Sequence, residues 1–157
     1  METKMEARTG VVHGDVHGRA VYELVPMAHV VDVEESIRFY ALLGFQARDR
    51  VQHAGRTQWA WLTSGKGHLM LAAAGEPILS EQQAVLFYLY TDDVAAMRSH
   101  LLASGLEDGA KFGGTQCDRR RVVFEVAHPP YMLEGEIRVV DSDGYCLLIG
   151  QCELKIS

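Results

Sequence analysis

Hydrophobic and polar residues follow the same order twice along the chain. In each copy, a short apolar run precedes an aspartate, a segment with apolar residues at helical spacing, a glycine, and further strand-like runs. The copies span residues 21–75 and 84–152. A repeat of this length is typical of one supersecondary unit used twice. The sequence therefore predicts two similar modules, with a ligand site between them.

Aspartates mark the start of each predicted helix. Asp32 is followed three residues later by Glu35, which is the pattern of a capping box. In the second copy, either Asp92 or Asp93 is suited to the same capping position. The predicted helices span residues 33–43 and 93–104.

Apolar runs after the helices predict strands, and the clearest turn is Asp143-Gly144, a strong hairpin signal. Each half is therefore predicted to be βαβββ. The predicted strands are residues 45–52, 58–63, 68–73, 110–112, 136–140 and 145–150. Residues 113–133 depart from the repeat and contain Pro129-Pro130, which favours a loop, with a short strand at 122–126 as an option. This loop either covers the site as a lid or is an ordinary surface loop.

Composition narrows the class of protein. The length of 157 residues suits a single domain at residues 21–152 behind a flexible N-terminal extension at residues 1–20. No apolar run approaches the ~20 residues of a membrane span, which favours a cytoplasmic protein with no membrane partner. A net charge of −6 argues against nucleic-acid binding and favours cationic or neutral ligands. The three cysteines lack metal-ligand spacing and are expected to be thiols.

Two motifs resemble a known family. Asp-Val-x-x-Ser-Ile-x-Phe-Tyr-x-x-Leu-Gly-Phe at residues 32–45 and Val-Asp-Ser-Asp-Gly-Tyr at residues 140–145 are similar to motifs of the vicinal oxygen chelate superfamily. That superfamily includes glyoxalase I, extradiol dioxygenases, and the fosfomycin and bleomycin resistance proteins. The resemblance covers residues 21–152. It implies an α+β fold of two tandem βαβββ modules that form a curled mixed sheet around a cleft, commonly in a homodimer.

The resemblance also implies where a divalent metal ion would bind, on the first and last strands of each module. Every one of these positions is apolar, and so are their immediate neighbours, so we expect no metal cofactor. A displaced site built from His29, His68 and Cys146 is the alternative. The vacant ligand positions are Val25, Met70, Leu86 and Leu148.

Strand alternation selects the side chains that would line the cleft. The lining is apolar and aromatic with a few polar groups, which suits a planar or amphipathic organic molecule, although the same residues could instead fill a closed core. The sequence does not indicate which face of its strand carries the tryptophans. The predicted ligand-binding residues are Met27, Trp59, Trp61, His68, Met70, Tyr88 and Tyr90.

These observations favour a metal-free binding protein of the glyoxalase/bleomycin resistance type that sequesters an aromatic or amphipathic compound. The apolar ligand positions argue against an enzyme without excluding one. The alternative is a lyase, isomerase or dioxygenase that depends on a divalent metal at an unorthodox site. A third hypothesis is that the protein keeps only the fold of the family, without a working site, and has a role in interaction.

Overall fold

The computed structural model describes residues 21, 23–113 and 119–153. The predicted extension at residues 1–20 and Cys117 lie outside this part of the chain. The first module contains β1 (Met27–Val30), α1 (Val33–Ala41), β2 (Gln46–His53), β3 (Arg56–Ser64) and β4 (Gly67–Ala73), and a short 3₁₀ helix (Ser80–Gln82) lies in the connection. The second contains β5 (Leu86–Thr91), α2 (Val94–Ala103), β6 (Glu107–Asp108), β7 (Val122–Val123), β8 (Glu136–Val140) and β9 (Cys146–Gln151).

Each module forms its own mixed sheet. The N-terminal sheet has the strand order β1-β4-β3-β2, and the C-terminal sheet has the order β5-β9-β8-β7-β6. In both sheets the first and last strands of the module lie side by side in parallel, β1 against β4 and β5 against β9. The predicted α+β fold of two related modules is confirmed.

The second module differs from the prediction at its edge. The strand expected at residues 110–112 is wrong, and the chain pairs earlier, through β6, which runs parallel to β7. Ala110 adopts a left-handed backbone conformation, with φ of 54°, and this ends the extended segment. The C-terminal sheet therefore has five strands where the simple repeat predicts four.

Both helices begin where the aspartates indicated. The carboxylate of Asp32 accepts a hydrogen bond from the backbone N–H of Glu35 at 3.0 Å, and Asp93, rather than Asp92, accepts one from Ala96 at 2.9 Å. The helices are slightly shorter than predicted because turns follow Ala41 and Ala103 directly. Within the described residues, neither helix has the length and apolar character needed to cross a bilayer.

One large hydrophobic cluster joins the two modules, and a second, small one of Val122, Phe124 and Val140 lies in the second module. Leu62 and Leu71 of the N-terminal sheet belong to the same buried cluster as Leu147 and Ile149 of the C-terminal sheet, together with apolar residues of both helices. We refer to the side of each sheet that contributes to this cluster as its core face and to the opposite side as its open face. Because both core faces meet in one core, the two open faces point away from each other within a chain.

The hairpin between β8 and β9 fastens the second module to the first. The buried carboxylate of Asp141 accepts a hydrogen bond from the hydroxyl of Tyr40 in α1 at 2.9 Å. Asp143 accepts one from the backbone N–H of Val31 at 3.0 Å. Burial raises the pKa of Asp141 to about 6, although hydrogen bonds from the backbone of Asp143 and Tyr145 act in the opposite direction.

Candidate functional site: two open sheet faces

The open face of the N-terminal sheet carries both tryptophans. Met27, Met70 and Trp61 lie side by side across β1, β4 and β3, and in the next row Trp59 lies opposite Ala72. Directly paired residues project from the same side of a sheet. The core face of the same strands is formed by fully buried aliphatic residues, so this aromatic row faces outward.

Side-chain contacts hold this row in place. The indole nitrogen of Trp61 donates a hydrogen bond to Nδ1 of His68 at 3.3 Å, and the two tryptophan rings meet edge to face with centroids 6.4 Å apart. Nε2 of His68 lies 4.0 Å from a carboxylate oxygen of Glu23. The hydrogen bond from Trp61 requires a lone pair on Nδ1, so neutral His68 carries its proton on Nε2, toward Glu23.

The open face of the C-terminal sheet carries a pair of tyrosines. Tyr88 lies opposite Leu148, and Tyr90 lies opposite Gly150 in the next row. The two rings are 5.2 Å apart at their centroids and are inclined by 49°. Their side chains are 40% and 66% exposed, which is high for aromatic residues in the middle of a strand.

A buried carboxylate lies beneath these rings. Glu136 of β8 is opposite Gly150, is only 3% exposed, and accepts a hydrogen bond from the hydroxyl of Tyr88 at 2.6 Å. The hydroxyl of Tyr131 donates to its other oxygen at 3.2 Å. Burial, followed by the hydrogen bond to Glu136, raises the pKa of Tyr88 above its ordinary value, so Tyr88 stays a donor.

The predicted ligand residues therefore fall into two groups on different faces. Tyr88 and Tyr90 are on the C-terminal sheet, and the other five are on the N-terminal sheet. The cleft that the sequence predicts between the two modules is not enclosed within one chain, because the shared core turns the open faces apart. Met27, at 56% exposed, and Leu86, at 59%, are uncovered on these faces, whereas Val122, Phe124 and Val140 form a small buried cluster on another part of the C-terminal sheet.

Two open grooves are found in the part of the chain that the structure describes. One, of ≈ 380 Å³, lies between the modules and is lined by residues such as Leu43, Tyr90 and Met97. The other, of ≈ 390 Å³, lies beside the connection between the modules and includes His29 and Tyr145. The first groove includes the predicted residue Tyr90, but neither groove is lined by the tryptophans or by Tyr88, so neither brings the predicted lining together.

The residues at the implied metal positions do not fit a divalent ion. Val25 precedes β1, which begins at Met27, and Met27 is the residue in register with Met70. Thioether and hydrocarbon side chains supply no ligands for a hard or borderline cation. In the described ranges, no group of three or more His, Cys, Asp and Glu side chains is arranged to hold a metal ion.

The displaced metal site is not assembled either. His29 lies opposite Ala72 near the end of β4, whereas His68 lies near the start of that strand. Cys146, the third candidate ligand, begins β9 in the other sheet. The three side chains are therefore not brought together.

Sequence reasoning did not single out Glu136 and Tyr131. The alternation of polar residues 136 and 138 with buried residues 137 and 139 was a signal that Glu136 lies on the open face. No sequence pattern indicated that Tyr88, 48 residues away, would reach it. The end of the predicted insert is also part of this face, because Met132 lies over Gly150 and Tyr131 binds Glu136.

Comparison with known protein families identifies the superfamily to which the chain belongs. Residues 26–145 match the sequence profile of the Glyoxalase/Bleomycin resistance protein/Dioxygenase superfamily. The match covers most of the chain, and the chain therefore belongs to this superfamily. No curated protein is significantly similar in sequence.

Solved structures share the fold at low sequence identity. A bleomycin-binding protein complexed with bleomycin is similar with a TM-score of 0.63 and 19% identity, over 85% of this chain and 100% of that one. A bleomycin resistance determinant encoded on the transposon Tn5 gives 0.61 and 20%, over 85% and 100%. TnmS3, an antibiotic binding protein from Streptomyces sp. CB03234, gives 0.60 and 18%, over 86% and 98%. At these identities the similarity shows the fold.

Proposed function

We propose that the protein binds and sequesters an aromatic or amphipathic small molecule without acting on it chemically. The observation that carries this proposal is the pair of open sheet faces, each with aromatic side chains that are partly exposed and held in fixed positions. Proteins with a similar structure include ones described as bleomycin-binding and antibiotic-binding, which supports a small organic molecule as the ligand of this protein. The apolar residues at the implied metal positions support binding without a metal cofactor. A cytoplasmic location stays a prediction from the sequence.

The binding cleft is formed by two copies of the chain in this proposal. Within one chain the tryptophan face and the tyrosine face point apart, whereas in a homodimer the N-terminal open face of one chain can lie opposite the C-terminal open face of the other. Exposed Met27, Leu86, Tyr88 and Tyr90 would then be covered. Burying an aromatic ring removes about 150–250 Å² from water, and offset stacking adds about 0.5–1.5 kcal/mol. Two such contacts suffice for roughly micromolar affinity after the free-energy cost of lost translational and rotational freedom on association is subtracted.

The test is a titration with planar aromatic and amphipathic compounds, bleomycin among them. Trp59 and Trp61 are the only tryptophans, so indole fluorescence reports on the N-terminal open face alone. A ligand in the shared cleft should change this fluorescence and raise the melting temperature. Tyr88→Ala should weaken binding by about tenfold, since it removes a stacking ring from the opposite wall. Leu79→Ala, an exposed position in the connection, is the control and should leave affinity unchanged.

Mixing two variants separates a shared cleft from a site within one chain. Trp61→Leu and Tyr88→Ala each impair every cleft of their own homodimer. A mixed dimer holds one intact cleft and one cleft with both changes, so a fraction of sites with wild-type affinity should reappear on mixing. If no compound changes the fluorescence or the melting temperature, the proposed function is wrong. If mixing restores nothing although each variant binds weakly, the two-chain cleft is wrong.

A further inference from the structure

Glu136 is a buried carboxylate without a cationic partner in the described residues. None of the ion pairs within 4.0 Å in that part of the chain involves it. Arg138, the next residue on the same face of β8, places its guanidinium over the ring of Phe112 at 4.0 Å from the centroid. Two tyrosine hydroxyls donate hydrogen bonds to the carboxylate oxygens of Glu136, but a neutral hydroxyl does not neutralise the negative charge of a carboxylate. A buried carboxylate of this kind is costly unless a cation approaches it.

The backbone is shaped to allow this arrangement. Gly150 lies directly beneath the Tyr88 hydroxyl, and a Cβ added there would come within 2.8 Å of that oxygen and 2.7 Å of the Met132 methyl carbon. Contacts that close require the neighbours to move. Glycine at this position therefore lets Tyr88 lie across β9 and reach Glu136 on the next strand.

Three exposed aromatic rings lie near this carboxylate, two in contact with it and one against the ring of Tyr88. Tyr88 and Tyr131 bind it directly, and Tyr90 lies against Tyr88. Tyr131 is 64% exposed, so all three rings keep surface that a ligand can cover. The face of an aromatic ring attracts cations because of its quadrupole, and aromatic cages bind alkylated ammonium groups in this way. A carboxylate behind the rings adds to the same attraction.

We propose that Tyr88, Tyr90 and Tyr131, with Glu136 behind them, form a cage that binds an organic cation, namely a protonated or quaternary amine. This inference rests on the proposed function and makes it more specific: the sequestered molecule carries a cationic amine beside its apolar part. The amine lies over the ring faces, and the carboxylate supplies the opposite charge through the tyrosines. Glu136 is then a positioning and specificity residue that need not touch the ligand.

The experiment compares choline with 3,3-dimethylbutan-1-ol, which has the same shape but no charge. Binding to the full chain is followed by NMR of the tyrosine ring resonances. Wild type should prefer choline by about fivefold or more, the range expected for a cation over partly desolvated rings. Glu136→Gln keeps the shape of the side chain and should reduce the preference below about twofold. Glu76→Gln, which removes the same charge from the connecting segment, should keep the wild-type preference.

A second variant covers the case in which Glu136→Gln fails to fold. Tyr90→Leu removes one ring at an exposed position and should weaken choline by about threefold or more while the fold is retained. Equal binding of the two probes to wild type, or an unchanged preference in both cage variants, overturns the cage. If aromatic compounds bind while choline has no advantage, only this inference fails. If neither the probes nor the aromatic compounds bind, the proposed function fails with it.

Discussion

Replacing Asp141 with asparagine should change how the stability of the protein depends on pH. Asp141 is buried at the hairpin that joins the modules and accepts hydrogen bonds from the Tyr40 hydroxyl and from the backbone of Asp143 and Tyr145. Asparagine has the same shape, its oxygen can accept from the backbone, and its amide can donate to the Tyr40 oxygen. The substitution therefore removes a titrating group and keeps the contacts.

The magnitude follows from the pKa of about 6 in the folded protein against an ordinary value of 3.8. Because the folded-state pKa is raised, the stabilisation from the protonated form is fully present below about pH 4 and is lost as the pH rises through about 6. A shift of about two pKa units corresponds to about 3 kcal/mol. Asp141→Asn should therefore be nearly as stable as wild type at about pH 4 and more stable by about 3 kcal/mol at pH 7.5.

Thermal and urea unfolding of both proteins from pH 4 to 7.5 provides the measurement. For a chain of this size, about 3 kcal/mol corresponds to a difference in melting temperature of about 6–12 °C. Asp92→Asn, at an exposed position, is the matched control and should show the pH profile of wild type. Parallel profiles for wild type and Asp141→Asn would refute the raised pKa, since they would mean that Asp141 does not bind a proton in this range.

Two further predictions concern metal and a tight turn. Treatment with EDTA should leave ligand affinity and melting temperature unchanged, because the implied metal positions are apolar; a loss of binding that added Zn²⁺ or Mn²⁺ restores would contradict the metal-free proposal. Gly144→Ala should lower the free energy of unfolding by more than about 2 kcal/mol, measured by urea unfolding, since φ is +89° and the added Cβ would lie 2.2 Å from Cβ of Ser80. Gly55→Ala, where φ is +75° but no atom lies within 4 Å, is its control and should cost less; equal costs would show that the contact with Ser80 relaxes freely.

Local patterns in the sequence predicted most of the fold. Asp32 and Asp93 cap their helices through contacts between residues three apart, so a short window contains both partners. Likewise, the Asp143-Gly144 turn and the strands beside it depend on neighbouring residues. The extra strand β6 was missed because its partner β7 follows only after the intervening loop, and the left-handed conformation of Ala110 has no sequence signal comparable to a glycine.

The candidate site was harder to predict for a related reason. Alternation along a strand divides its residues between two faces, but it does not show what covers each face. Apart from His68, the open and the core face of β4 are both apolar in sequence, and only the shared core distinguishes Met70 from Leu71. The contact between Tyr88 and Glu136 crosses β9 diagonally and depends on the missing side chain of Gly150. Such a contact is a property of the assembled sheet.

The shared core has a thermodynamic consequence for the proposed function. Because it turns the tryptophan face and the tyrosine face apart, a ligand that contacts both must bridge two chains. Ligand binding and dimerisation are then linked, and each strengthens the other by the same free energy. Apparent affinity should therefore rise with protein concentration until the dimer is saturated, and a saturating ligand should lower the dimer dissociation constant measured by sedimentation. A ligand held within one chain would show neither effect, so this linkage distinguishes the two arrangements even before the ligand is identified.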